Sequence, residues 1–107
     1  MTRKTNTDVK GKPFSAETIL EVWQKGKIIP KFSPDEWRWD ACGKVMKWIE
    51  HGNRRSSVGW EVDHIDPVSN NGKDDIDNLQ PLYWKDNEQK GDQVNWVFEI
   101  PVLKKEK

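Results

Sequence analysis

Four polar side chains in the second half of the chain are of the types needed to hydrolyse a phosphodiester. Asp63 and His64 are adjacent, Asn78 follows 14 residues after His64, and Asn87 follows nine residues later. Histidine can take a proton from water near neutral pH. Carboxylate and amide oxygens are ligands for a hard divalent cation, which neutralises the charge that develops on a phosphate. The set therefore predicts metal-assisted hydrolysis.

Each of these residues also has an ordinary structural explanation. An Asp-His pair is common in surface turns, an asparagine often caps its own loop, and Asn87 alone would be an exposed helix residue. Adjacent residues on a regular strand point to opposite faces. Asp63 and His64 can therefore share one site only if the chain twists or turns there, and Pro67 is consistent with such a departure.

The residues around this set predict two strands and a helix. The segment 59–65 (GWEVDHI) alternates apolar and polar residues, which is typical of a strand. The polar run 69–77 (SNNGKDDID) predicts a long loop, and residues 79–83 predict a second strand that Pro81 confines to a sheet edge. Residues 84–93 predict a short helix.

The first half of the chain predicts two helices. An N-cap serine and a terminating glycine predict a helix over 16–25. The Ser-Pro-Asp-Glu sequence at 33–36 is a capping box, and the apolar spacing after it predicts a second helix over 34–50. Residues 27–32 (KIIPKF) predict an extended connector or an edge strand.

Both ends of the chain predict little packed structure. Residues 1–12 contain four basic side chains and almost no apolar ones, which predicts a flexible basic tail. Residues 96–102 predict a strand or an extended arm, and residues 104–107 are expected to fray. A chain of 107 residues has no room for a second core, so we expect one domain over 13–107.

The composition excludes a uniformly basic nucleic-acid binder, because 18 Lys and Arg balance 18 Asp and Glu. The zero net charge hides a gradient: residues 1–31 carry seven basic and three acidic groups (net +4), and residues 63–93 carry three and eight (net −5). Seven tryptophans predict an aromatic core, with base stacking as the alternative. No apolar run could cross a membrane and no signal peptide is evident, so we expect a cytoplasmic protein.

Three segments carry a family resemblance: 60–67 (WEVDHIDP), 74–80 (DDIDNLQ), and Asn87 with Lys90. This pattern over residues 59–93 resembles that of HNH endonucleases, and its spacings resemble those in the HNH domain of RNA-guided CRISPR nucleases. The segment 37–43 (WRWDACG) is similar to a subgroup of small stand-alone bacterial HNH proteins. The resemblance implies an α+β fold, a ββα-metal finger with its core at about 59–95, preceded by the two N-terminal helices.

The resemblance also implies roles for the site residues. His64 would be the general base, and Asn78 would orient His64 or the loop around it. Asp63 and Asn87 would hold one divalent metal ion, with Mg²⁺ expected first and Mn²⁺, Ni²⁺ or Zn²⁺ as alternatives. Many relatives hold a structural zinc with two pairs of cysteines, but Cys42 is the only cysteine here. No structural zinc is therefore expected, and packing of the N-terminal helices would replace it.

The partner that the resemblance implies is DNA. Lys90 is expected to contact phosphate, and the basic side chains of Arg54, Arg55 and Lys85 could meet the backbone or be ordinary solvated charges. The leading hypothesis is a metal-dependent DNA endonuclease. The alternatives are a nucleic-acid-binding module on the same scaffold with a metal site too weak for turnover, and a toxin nuclease with an immunity protein as partner.

Overall fold

The computed structural model describes residues 4–94 and 96. Helices and strands follow one another in this order: α1 (Ala16–Trp23), β1 (Lys27–Ile28), β2 (Trp37–Trp39), β3 (Val45–Lys47), β4 (Trp60–His64), β5 (Leu79–Tyr83) and α2 (Trp84–Lys90). Strands β1, β2 and β3 form one antiparallel sheet in that order, and β4 and β5 form a second antiparallel pair. The expected α+β class is confirmed.

The second half of the chain forms a ββα unit. In the β4–β5 pair, Trp60 lies opposite Tyr83 and His64 lies opposite Leu79, and α2 begins at the residue after β5. All five residues of β4 are buried. Trp60 and Val62 belong to the hydrophobic core, whereas Glu61 and Asp63 bond to side chains of α2. Alternation along β4 thus separates an apolar face from a polar face that looks toward α2.

Three tryptophans form the centre of the core. The ring centroid of Trp23 lies 5.1 Å from that of Trp60 and 5.7 Å from that of Trp48. The indole N–H of Trp23 donates to the carbonyl of Pro34 at 2.9 Å, and that of Trp60 donates to the carbonyl of Trp48 at 3.2 Å. The Trp23 and Trp60 rings therefore bury their apolar surface without leaving the indole N–H unpaired. These three tryptophans therefore serve core packing, the role that the sequence predicted ahead of base stacking.

Helix α1 holds the core against the β4–β5 pair. The hydroxyl oxygen of Ser15 accepts a hydrogen bond from the backbone N–H of Thr18 at 3.1 Å, which is the expected N-cap. Val22 and Trp23, at the C-terminal end of the helix, are buried in the core cluster.

The predicted second helix over 34–50 is wrong. The capping-box sequence makes only a single turn, in which the backbone N–H of Trp37 bonds to the carbonyl of Ser33. Strands β2 and β3 then form a hairpin whose turn contains Gly43 at a φ of +84°. The Asp40 carboxylate closes this turn by accepting the N–H groups of Cys42 and Lys44, both at 2.9 Å. Because a side-chain cap and a glycine suit a tight turn, the hairpin replaces the helix. Among the described residues, α1 is then the only α-helix before the ββα unit.

Residues 4–13, which we call the N-terminal strap, lie against β4. The Asn6 side-chain oxygen accepts the backbone N–H of Val62 at 2.8 Å, and Thr7 bridges to Pro13. The mobility of the first residues and the domain limits 13–107 stay predictions. Of the predicted arm at 96–102 only Trp96 is described, and the predicted frayed end at 104–107 lies outside the described residues.

None of the helices in the described part of the chain is long and apolar enough to cross a membrane.

Candidate active site

Asp63 occupies the fourth position of β4 and faces α2. One carboxylate oxygen, Oδ1, lies 3.3 Å from the ammonium nitrogen of Lys90, and the other accepts a hydrogen bond from the Gln80 amide at 2.9 Å. The residue is only 6% exposed. Burial raises the pKa of Asp63, and the hydrogen bond from Gln80 and the charge of Lys90 oppose that rise. The carboxylate is therefore fixed in direction by two partners inside the protein.

His64 ends β4 and has a carboxylate partner that the sequence did not indicate. Its ring nitrogen Nε2 lies 2.8 Å from Oδ1 of Asp74. The imidazole is 8% exposed and its centroid lies 5.8 Å from the ring of Phe14. Asp74 belongs to the polar run 69–77, where three acidic residues stand close together and nothing in the sequence distinguishes one from another.

Asp63 and His64 share one cavity although they are neighbours on a strand. A cavity of about 550 Å³ is lined by both residues and by Asn87. His64 is the last residue of β4 and still pairs with Leu79. The cavity lies at this end of the strand, and three of the four predicted residues line it.

Asn78 holds the loop behind the site. Its side-chain oxygen accepts the backbone N–H of Asp66 at 2.8 Å, and its side-chain nitrogen donates to the carbonyls of Asp66 at 3.1 Å and Lys73 at 2.8 Å. The backbone carbonyl of Asn78 accepts the N–H of Ile65 at 2.8 Å. These contacts fix the backbone directly after His64, so the geometry favours the part of the expected role that concerns the loop.

Asn87 lies on the face of α2 that covers β4. Its amide nitrogen donates to Oε1 of Glu61 at 2.8 Å, which leaves the amide oxygen as the atom that could bind a cation. Glu61 is buried and also accepts two bonds from the guanidinium of Arg54, at 2.7 and 2.9 Å. The sequence placed Glu61 on a strand but gave no sign that it would hold Asn87.

Residues 41–93 match the family model described as HNH endonuclease. The chain belongs to the HNH endonuclease family. The matched range begins in the β2–β3 turn and contains β4, β5 and α2, so it includes all four predicted site residues. No curated protein and no solved structure gives a significant match to the chain.

The HNH family uses a divalent metal, and the donor set here fits a hard cation. Asp63 and Asn87, which carry a carboxylate and an amide oxygen, line the same cavity. Such oxygen ligands suit a cation of the Mg²⁺ type, which keeps several waters. A carboxylate has about four lone-pair sites, so the bonds from Lys90 and Gln80 leave Asp63 with lone pairs that could bind an ion.

A second group that could hold a metal ion lies outside this cavity. One ligand atom each from Asp40, Cys42 and Asp86 lies within 4.8 Å of the others. The three residues are buried, and Oδ2 of Asp86 accepts no hydrogen bond within the described structure. Burial and the neighbouring Asp86 carboxyl raise the pKa of Asp40 to about 7. The sequence suggested only a buried thiol here, because the two carboxylates stand 46 residues apart.

The basic residues expected at DNA fall into two environments. Lys90 is 2% exposed, and its ammonium group is engaged by the Asp63 carboxylate and by the His64 carbonyl at 2.9 Å. The ammonium group of Lys90 is thus buried among protein groups, and the guanidinium of Arg54 is held by Glu61, while the contact of either residue with phosphate stays a prediction. Arg55 and Lys85 are exposed, with the Lys85 ammonium 5.5 Å from the centroid of the Trp84 ring.

Proposed function

We propose that the chain is a metal-dependent DNA endonuclease with His64 as its general base. The observation that carries this proposal is the single cavity in which His64, Asp63 and Asn87 meet. An imidazole and oxygen ligands for a cation in one cavity are groups that metal-dependent phosphodiester hydrolysis can use. Membership of the HNH family supports the same reaction class.

In this proposal, some of the residues serve proton transfer and others would bind the cation. His64 takes the proton of the attacking water, and Asn78 keeps the backbone after His64 in place. Asp63 and Asn87 would hold one divalent ion, for which Mg²⁺ is proposed first and Mn²⁺, Ni²⁺ and Zn²⁺ are alternatives. When bound, this ion would neutralise the charge that develops on the phosphate and the leaving oxygen.

DNA is the proposed partner and the cytoplasm the proposed location. The cavity belongs to the acidic part of the chain, so a bound cation would reduce the repulsion of phosphate there. The exposed side chains of Arg55 and Lys85 are the proposed contacts to the DNA backbone. Lys90 is not included, because its ammonium group is buried.

A plasmid-cleavage assay with Mg²⁺, Mn²⁺, Ni²⁺ and Zn²⁺ tests the proposal. The wild type is expected to cut with at least one ion. His64→Ala and Asp63→Asn are expected to abolish cutting while keeping a wild-type circular dichroism spectrum, whereas the exposed Asp77→Asn is the charge-matched control and should cut normally. An intact plasmid with all four ions, or normal cutting by His64→Ala, would reject an endonuclease.

A nucleic-acid-binding module without turnover is the second candidate. It is favoured by Asn87, a neutral ligand whose amide nitrogen is already held by Glu61. A salt-dependent gel shift with no cleavage by any ion would select this module, because phosphate contacts release counterions.

A further inference from the structure

We propose that Asp74 is a positioning residue for His64 and that the N-terminal strap holds Asp74 in place. The inference rests on the proposed role of His64 as general base. Val9 of the strap precedes Asp74 by 65 residues and bonds to it in the folded chain, and Asp74 in turn contacts His64, the last residue of β4.

The contact between Asp74 and His64 fixes which ring nitrogen can act. Oδ1 of Asp74 lies 2.8 Å from Nε2 of His64. Because an ionised carboxylate can only accept hydrogen bonds, Nε2 carries the hydrogen in the neutral ring. Nδ1 then keeps the lone pair, so it is the nitrogen that takes a proton from water. A carboxylate that sets the tautomer and direction of a catalytic imidazole serves this purpose in other hydrolases.

The strap in turn holds the carboxylate. The backbone N–H of Val9 lies 3.2 Å from Oδ1 and 3.3 Å from Oδ2 of Asp74. Val9 sits in a closed turn, because the Asp8 carboxylate accepts the N–H groups of Lys10 and Lys12, both at 2.9 Å. Gly11 adopts the positive φ of +80° that this turn needs. A capped turn therefore presents one N–H group to Asp74.

The strap is also attached beside the cavity at a second place. Asn6 accepts the backbone N–H of Val62 at 2.8 Å, and the hydroxyl of Thr5 accepts a bond from Arg54 at 3.2 Å. Residues 4–7 also line the cavity. The strap is therefore attached at Val62, two residues before His64, and at Asp74, the partner of His64.

Neighbouring residues provide a matched control for the positioning role. Asp74→Ala and Asp75→Ala remove the same charge one residue apart, but only Asp74 contacts His64 and Val9. Asp75 is exposed, and its backbone carbonyl, which both variants keep, bonds to Asn78. A difference between the two variants therefore reports the contact and not the net charge.

Imidazole ¹⁵N NMR of the full-length protein measures the tautomer directly. The chain has two histidines, so His64→Ala assigns the signals. Neutral His64 is expected as the Nε2–H tautomer in the wild type and in Asp75→Ala, and as a mixture in Asp74→Ala. In the cleavage assay, Asp74→Ala is expected to lower kcat about 10- to 100-fold, the usual effect of losing such a partner, with little change in KM.

The outcomes separate this inference from the proposed function. If Asp74→Ala and Asp75→Ala show the same His64 tautomer, the positioning role of Asp74 is overturned, whether or not the protein cuts DNA. If the enzyme is active and Asp74→Ala leaves kcat unchanged, that role is overturned as well. If the wild type cuts nothing, the endonuclease proposal fails while NMR still decides the contact. Asp74→Leu, which is similar in size and cannot accept a hydrogen bond, repeats the test if Asp74→Ala does not fold.

The strap has its own test. Asp8→Ala removes the side chain that closes the Val9 turn, and it is expected to shift the His64 tautomer in the same direction as Asp74→Ala, by a smaller amount. Lys10→Ala keeps the turn and is expected to leave the tautomer unchanged. An unaltered spectrum in Asp8→Ala would overturn the part of the proposal that concerns the strap.

Discussion

The ammonium nitrogen of Lys90 lies 3.3 Å from Oδ1 of Asp63, and both side chains are more than nine-tenths buried. The same ammonium group donates to the carbonyl of His64 at 2.9 Å. One cation from α2 therefore ties down two consecutive residues of β4. Burial raises the pKa of Asp63, and Lys90, together with Gln80, is what favours its ionised form.

Lys90→Met is expected to lower the free energy of unfolding by about 3–5 kcal/mol, because it leaves a buried carboxylate without its cation. Added Mg²⁺ is expected to restore part of this loss, since an ion at Asp63 would replace the missing charge. Urea unfolding with and without Mg²⁺ measures both effects. Lys85→Met, at an exposed position of the same helix, is the control, and an equal small loss in both variants would contradict the argument.

Asn78→Ala is expected to lower the free energy of unfolding by about 2–3 kcal/mol, because it removes three side-chain hydrogen bonds to the backbone of Asp66 and Lys73. The loop after His64 would then lose its fixed path, so cleavage should fall as well. Urea unfolding and the plasmid assay measure the two effects. The side chain of Asn70 makes one exposed hydrogen bond to Asp66, so Asn70→Ala should change stability much less. Similar losses in the two variants would show that Asn78 has no special role in holding the loop.

The ββα unit could be predicted from the sequence because its signals are local. Alternation in residues 59–65 and the turn residues that follow specify β4 without reference to the rest of the chain. The segment 34–50 failed because its apolar spacing fits a helix as well as a hairpin. The hairpin is also held by a contact that is distant in sequence. The second carboxylate oxygen of Asp40 accepts the backbone N–H of Tyr83, 43 residues away, at 2.9 Å.

Only the site residues that belong to the family pattern could be predicted from the sequence. Asp63, His64 and Asn87 belong to that pattern, and the structure brings them to one cavity. Their partners Glu61 and Asp74 could not be identified from the sequence. An acidic residue in a polar segment has the same sequence context whether it is solvated or buried against a partner. For the same reason the sequence could not distinguish buried Lys90 from exposed Lys85.

Neutralising Arg55 or Lys85, which are exposed, is expected to affect DNA binding, whereas neutralising Arg54 is expected to affect stability. Arg55→Gln and Lys85→Gln should each weaken DNA binding and reduce the slope of log K against log salt by about 0.9, if each contacts one phosphate. Arg54→Gln should instead lower the free energy of unfolding, because Glu61 is buried against it. Gel shifts at several salt concentrations and urea unfolding separate the two effects. A reduced salt slope with unchanged stability in Arg54→Gln would contradict the assignment.

The carboxyl pair of Asp40 and Asp86 is expected to make stability depend on pH. Burial first, and Asp86 second, raise the pKa of Asp40 from 3.8 to about 7. Between these values the folded state binds a proton that the unfolded state has released, so stability is highest at acidic pH and falls as pH rises from about 4 to 7.

Asp86→Asn is expected to reduce this fall, because it removes the neighbouring charge and offers an amide N–H to Asp40. The part of the effect that comes from burial remains, so the dependence becomes weaker without disappearing. Thermal unfolding at a series of pH values between 4 and 8 measures the difference, and the exposed Asp77→Asn should keep the wild-type profile. A fall in stability that is equally steep in Asp86→Asn would show that Asp86 does not contribute to the raised pKa of Asp40.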